Sequence, residues 1–144
     1  MNEEIANKVG PVMVDHIGIA CENLEQASKF WQLLGLEQGV KDELVDEQGV
    51  TTRFFTTASG RPAKIELLEP TSEDTPIGRF IAKKGIGVQQ ICFSVGNLQA
   101  ILDYLHDNEV MLINRNPVIG AGGKMIAFVH PKSTGGVLGE LTQR

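Results

Sequence analysis

The stretch Gly136-Val-Leu-Gly-Glu140-Leu-Thr142 sets a lone carboxylate in an otherwise apolar strand near the end of the chain. A second such stretch, Lys64-Ile-Glu66-Leu-Leu68, carries Glu66 in the same setting, 74 positions earlier (140 − 66). The same offset (90 − 16) relates Gln90 to His16, and within each half the polar residues stand 50 apart (66 − 16 and 140 − 90). Four polar side chains therefore repeat in register, as in a duplicated module offering two ligands per copy.

Working outward, Val14 to Cys21 alternates, with His16, Gly18 and Ala20 on one face and Ile17, Ile19 and Cys21 on the other, the pattern of a strand. Asn23 then reads as a helix N-cap, Gln26 stands at the capping-box position, and Leu24, Ala27, Phe30, Trp31 and Leu34 form an apolar stripe that ends at Gly35. Strand-like segments follow at 36–45, 50–57 and 63–69, separated by Glu47-Gln48-Gly49 and Ser59-Gly60-Arg61-Pro62 turns. The second half restarts at 88–95, where Gln90, Cys92 and Ser94 share a face. Asn97 caps the next helix, 74 residues after Asn23, and strands are expected around 111–114, 124–130 and 137–142. Residues 1 to about 12 read as a loose lead-in. The expected fold is α+β, two βαβββ modules forming a curved mixed sheet with helices on the convex face and a concave polar face within. The 144 residues are expected to form a single domain, with module 1 at about 13–70, module 2 at about 86–144, and a linker at about 71–85 carrying a short helix after Pro76.

A composition of 42% hydrophobic and 22% charged residues is ordinary for a globular protein, and no apolar run approaches the roughly 20 residues that span a bilayer. The polar first ten residues lack the apolar core of a secretory signal, which points to a cytoplasmic chain without membrane insertion. A formal charge of −5 argues against broad contact with nucleic-acid phosphates and agrees with a small-molecule partner. Cys21 and Cys92 are too few for a disulfide scaffold and form no Cys-x-x-Cys spacing, so both read as reduced. Cys92 shares the Gln90 face, but a packed small residue is the simpler reading.

On separate strands His16, Glu66, Gln90 and Glu140 can each reach one concavity. One imidazole, two carboxylates and an amide oxygen suit a divalent metal with positions left open. Any one of the four taken alone reads as a solvent-facing or hydrogen-bonded strand residue. The register across the repeat sets a shared site beside that reading. Gly120-Ala-Gly-Gly123-Lys124 lacks both the spacing and the strand-to-helix setting of a phosphate loop and reads as a turn. Lys132 and Ser133, in a turn beside the Glu140 strand, are candidates for contact with an anionic ligand, although a plain hairpin turn explains them nearly as well. His106 reads as a surface residue near a helix end.

These residues resemble a known pattern. Asp15-His-Ile-Gly-Ile-Ala20, Glu47-Gln-Gly-Val50, Lys64-Ile-Glu-Leu-Leu-Glu-Pro70, Gly120-Ala-Gly-Gly-Lys124 and Phe128-Val-His-Pro-Lys-Ser-Thr-Gly-Gly-Val-Leu138, followed by Glu140-Leu141, are similar in kind and order to the methylmalonyl-CoA epimerase family of the vicinal oxygen chelate superfamily, which includes glyoxalase I and bleomycin-resistance proteins. The resemblance runs from Val14 to Thr142. It implies one divalent metal ion (cobalt, manganese, nickel or zinc) held by His16, Glu66, Gln90 and Glu140, and inversion of the α-carbon of methylmalonyl-CoA. It also implies that Glu47 and Glu140 are the acid/base pair on opposite sides of that carbon. The departure is Gln89-Gln90, where the epimerases usually carry His-His.

That chemistry suits these residue types. A thioester α-proton is weakly acidic, so its removal calls for a positive charge near the carbonyl oxygen, a carboxylate base within reach, and a second acid on the other face for inversion. Two rival readings stand beside it. One is a glyoxalase I-like lactoylglutathione lyase, which Gln90 keeps in view; the other is a metal-free small-molecule-binding protein of the drug-resistance type. The oligomeric state is open, a homodimer among the arrangements.

Overall fold

The computed structural model describes residues 1–57 and 60–144 of a mixed α+β chain. In order the elements are α1 (Glu3–Val9), β1 (Met13–Ala20), α2 (Leu24–Leu33), β2 (Glu37–Gln38), β3 (Glu43–Val45), β4 (Val50–Thr56), β5 (Lys64–Pro70), α3 (Pro76–Lys84), β6 (Gly87–Val95), α4 (Leu98–Asp107), β7 (Val118–Ile119), β8 (Met125–Val129) and β9 (Leu138–Gln143). The chain forms two compact units, His16–Gln89 and Met1–Asp15 with Gln90–Arg144, so the divisions fall inside β1 and β6.

In the unit His16–Gln89, β1 and β5 run parallel with His16 opposite Lys64 and Gly18 opposite Glu66. Strand β4 runs antiparallel to β5, setting Phe54 opposite Glu66, and β2 and β3 both pair with β4. In the other unit β6 and β9 run parallel, with Gln90 opposite Leu138 and Cys92 opposite Glu140. There β8 is antiparallel to β9, Phe128 faces Glu140, and β7 lies beside β8. The pairs 16/64 and 54/66 recur as 90/138 and 128/140 at the same 74-residue offset. Because a one-residue slip would turn every side chain to the opposite face, this shared register puts the equivalent residues on equivalent faces.

The helices repeat as well. Asn23 Oδ1 accepts from the Gln26 amide at 2.9 Å, and Asn97 Oδ1 accepts from the Ala100 amide at 2.9 Å. The first helical amide of each finds a partner on the last strand of its unit. Leu24 N donates to Glu69 Oε2 at 2.8 Å and Leu98 N to Gln143 Oε1 at 3.0 Å, again 74 positions on. Two otherwise orphaned N–H groups per helix are satisfied in this way, and each helix start is tied to its sheet.

Each helix covers the sheet face opposite the polar repeat. In one unit Leu24, Cys21, Phe55 and Leu67 form the core with Ile19, Ala27, Trp31 and Ile65 packed on it. In the other, Leu98, Ile101 and Leu102 of α4 meet Val95, Ala127, Val129 and Leu141.

Four local expectations are corrected. Residues 3–9 form α1, capped by Asn2 Oδ1 on the Ile5 amide at 2.9 Å, and Val9 is fully buried in the α4 core. Phe30 and Leu34 point outward at 61% and 60% exposure, because only the part of the α2 stripe around Leu24, Ala27 and Trp31 meets the sheet. Residues 36–45 make two short strands instead of one, and 111–114 contribute only a bridge from Leu112 to Val129. Of the expected turn at 59–62, Ser59 lies outside the described residues. Among the described residues no helix is long and apolar enough to cross a membrane.

Candidate functional site

In the unit His16–Gln89 the parallel β1–β5 pair brings His16 and Glu66 together. Their exposures are 6% and 3%, and His16 Nε2 lies 3.5 Å from Glu66 Oε1. That exceeds the span of about 2.7–3.2 Å usual for an N–H···O bond, so the imidazole and carboxylate are close neighbours and not tightly bonded partners. Phe54, opposite Glu66 on β4, sets its ring edge-on to His16 with centroids 5.4 Å apart, and Lys64 Nζ lies 5.8 Å from the Phe54 ring centre. The ring walls one side of the imidazole and limits its rotation.

In the other unit the β6–β9 pair brings Gln90 and Glu140 together, each 6% exposed. Gln90 Nε2 donates to Glu140 Oε2 at 2.7 Å. A carboxylate can only accept, so this bond fixes which way the carboxamide faces and directs its oxygen, a metal-compatible donor, elsewhere. Cys92, fully buried on the same strand, has its thiol within 4.8 Å of a carboxylate oxygen of Asp15. Sequence reasoning passed over Asp15, whose one signal is its place directly before His16.

A carboxylate with so little water access keeps its charge only beside donors or an opposite charge. Glu66 and Glu140 are two such groups, each beside a polar partner, the His16 ring or the Gln90 amide. An imidazole nitrogen, an amide oxygen and carboxylate oxygens are donors that first-row divalent ions accept, so the residues present fit such an ion.

The other candidates lie in turns. Glu47 is exposed in a single 3-10 turn, Asp46–Gln48, between β3 and β4. Gly49 closes this turn at φ 60°, its amide donating to Asp46 O at 3.1 Å and its carbonyl accepting from Thr71 N at 2.9 Å. A Cβ there would sit 2.5 Å from Thr75 Cγ2, so both the backbone angle and the space require glycine. Lys132 and Ser133 are exposed in the 3-10 turn Pro131–Ser133 that leads toward β9. The Ser133 hydroxyl accepts from Met111 N at 2.9 Å, and His130 Nδ1 accepts from Lys132 N at 3.0 Å. The first ties the turn to the segment after α4, and the second stays within the turn. Gly120 lies in a turn between β7 and β8, where a side chain would collide with Ile126 Cδ1 at 2.5 Å. Burial, with the Glu69 charge second, raises the Cys21 thiol to about 11, which keeps it neutral and unreactive on the helix side of the sheet.

A profile of the glyoxalase/bleomycin resistance protein/dioxygenase superfamily matches residues 15–128, which takes in His16, Glu66 and Gln90 and stops before Glu140. An uncharacterized Bacillus subtilis protein, YqjC, is 43% identical over 131 residues, 90% of this chain and 91% of its own length. The ethylmalonyl-CoA/methylmalonyl-CoA epimerase of Cereibacter sphaeroides is 37% identical over 133 residues, 90% of this chain and 96% of its own. Among solved structures, a variant of Streptomyces coelicolor methylmalonyl-CoA epimerase in complex with 2-nitronate-propionyl-CoA superposes with a TM-score of 0.82 at 36% identity, covering 91% of this chain and 93% of that one. The chain belongs to the glyoxalase/bleomycin resistance protein/dioxygenase superfamily and, within it, to the methylmalonyl-CoA epimerase family of enzymes.

Proposed function

We propose that this protein inverts the α-carbon of methylmalonyl-CoA, or of a closely related short acyl-CoA, by two-base proton transfer. In this reading the two modules act as one cytoplasmic domain, and His16, Glu66, Gln90 and Glu140 hold one divalent ion. The observation that carries it is the recurrence of a buried donor pair, His16 with Glu66 and Gln90 with Glu140, at one offset and in one strand register. The relatives that bear the epimerase name support the choice of substrate.

A bound divalent ion would supply Lewis-acid charge toward the thioester oxygen, lowering the cost of removing the α-proton. Glu47 and Glu140 act as the proton acceptor and donor on opposite faces of the carbon, so a proton leaves on one side and returns on the other. The Phe54 ring holds His16 in place, and the Gln90 amide holds the Glu140 carboxylate by its Oε2. The stiff turn closed by Gly49 gives Glu47 a fixed base. Lys132 and Ser133 are the residues assigned to anionic parts of the ligand.

The test is a side-by-side assay of metal-loaded protein. Conversion of one methylmalonyl-CoA epimer into the other is expected, with no formation of lactoylglutathione from the methylglyoxal–glutathione hemithioacetal. Lactoylglutathione formation with an inert methylmalonyl-CoA would replace the epimerase reading by the lyase. Tight binding without turnover of either compound would favour a binding protein.

A further inference from the structure

We propose that Thr52 contacts the substrate, its hydroxyl donating a hydrogen bond to an oxygen of the acyl group; the identity of that ligand rests on the epimerase reading. Thr52 lies in β4 at 2% exposure, and its Oγ1 is buried with no hydrogen-bond partner among the described residues. Alternation along the strand puts Thr52 on the face of Phe54, which is opposite Glu66 and has its ring against His16. Thr52 is itself opposite Leu68, so Glu66 is its diagonal neighbour across the ladder, about 7–8 Å away between backbones. That distance suits a second contact to a ligand already held near Glu66.

On the other face of the same strand, all three nitrogens of the buried Arg53 guanidinium donate, to Asp42, Glu25 and Ser28, so β4 is not a place where polar groups go unanswered. At the position 74 residues on, the repeat has Ile126, 3% exposed, which fills the equivalent space with hydrocarbon. An unpaired buried hydroxyl is unfavourable, and an apolar side chain of the same shape would avoid the cost. A ligand oxygen supplies the missing partner and makes the hydroxyl useful.

The experiment compares Thr52→Val, which keeps the shape and removes the hydroxyl, with Thr52→Ser, which keeps the hydroxyl. Thr52→Val is expected to match or exceed the wild-type thermal midpoint without ligand, while KM for methylmalonyl-CoA rises about 10-fold and kcat changes less. Thr52→Ser should restore most of the lost affinity. Propionyl-CoA, which lacks the carboxylate, identifies the acceptor. Its inhibition constant is unchanged in Thr52→Val if the carboxylate accepts the bond, and weakens in parallel if the thioester oxygen does. Wild-type affinity of Thr52→Val for both thioesters overturns the proposal. A lowered ligand-free midpoint also overturns it, since the hydroxyl would then have a structural partner. If the wild type fails to turn over methylmalonyl-CoA, the epimerase reading alone fails, and the ligand-free midpoint still judges Thr52.

Discussion

At Gln90 the carboxamide nitrogen donates to Glu140 at 2.7 Å, and its oxygen is the atom that the proposed metal site would use. The four ligand candidates were legible in the sequence because they recur at one offset, and a repeat turns four weak signals into one. Thr52 has Ile126 as its counterpart, and Asp15 with its counterpart Gln89 has no polar residue 50 positions on, at Ile65 or Gly139, so neither completes such a pattern; nothing in the sequence separates a buried threonine hydroxyl from an ordinary strand residue. Glu47 is also a singleton, in a turn where acids are common, and only the family resemblance marks it. Its proposed role makes a sharp prediction. Glu47→Gln removes one base and leaves the ligand set, so epimerisation should fall by about 100-fold or more. After long incubation in deuterated water, mass spectrometry should find deuterium in one enantiomer without inversion, and none in the other. Epimerisation at the wild-type rate in Glu47→Gln would contradict the two-base assignment.

Strands β1, β5, β6 and β9 and helices α2 and α4 followed from alternation and from the Asn23 and Asn97 caps. Helix α1 was missed because its seven residues offer one apolar pair, Ile5 and Val9, too short a run for periodicity to show. The outward Phe30 and Leu34 show a different limit, since a helical stripe fixes which residues align but not how much of the stripe the sheet covers. Strand β4 carries a feature that its repeat lacks. Arg53 reaches Asp42 through two bonds of 2.8 and 2.7 Å and Glu25 through one of 2.8 Å, tying α2 and the β2–β3 loop to the sheet. Hydrogen bonding from Arg53, assisted by its charge and opposed by burial, lowers the Asp42 carboxyl below its ordinary range. A lowered folded-state value means stability that is present above the ordinary aspartate range, about 3.9, and lost as pH falls through the folded value. Asp42→Asn should therefore cost about 1 kcal/mol at neutral pH, screened by partial exposure, and the gap from wild type should close in acid. Urea titrations from neutral pH down through the acid range check this; a gap constant with pH would remove Asp42 ionisation from the account.

For the whole molecule, the duplication is the organising fact. The 74-residue offset governs strand register, helix caps, the strand-to-helix bonds of Glu69 and Gln143, and the two donor pairs. The copies diverge at the proposed base: Glu47 sits in a turn of one copy, whereas the other copy has the glycine turn Ala121–Gly123. The central claim of the proposed function is that two half-sites, one per copy, serve one ion. Metal content per chain tests it most directly, measured for the wild type, for Glu66→Ala and for Glu140→Ala after dialysis against the same limiting divalent metal. The account predicts about one ion per wild-type chain and almost none in either variant, because each half lacks enough donors alone. Two ions per chain, or undiminished metal in either single variant, would contradict it.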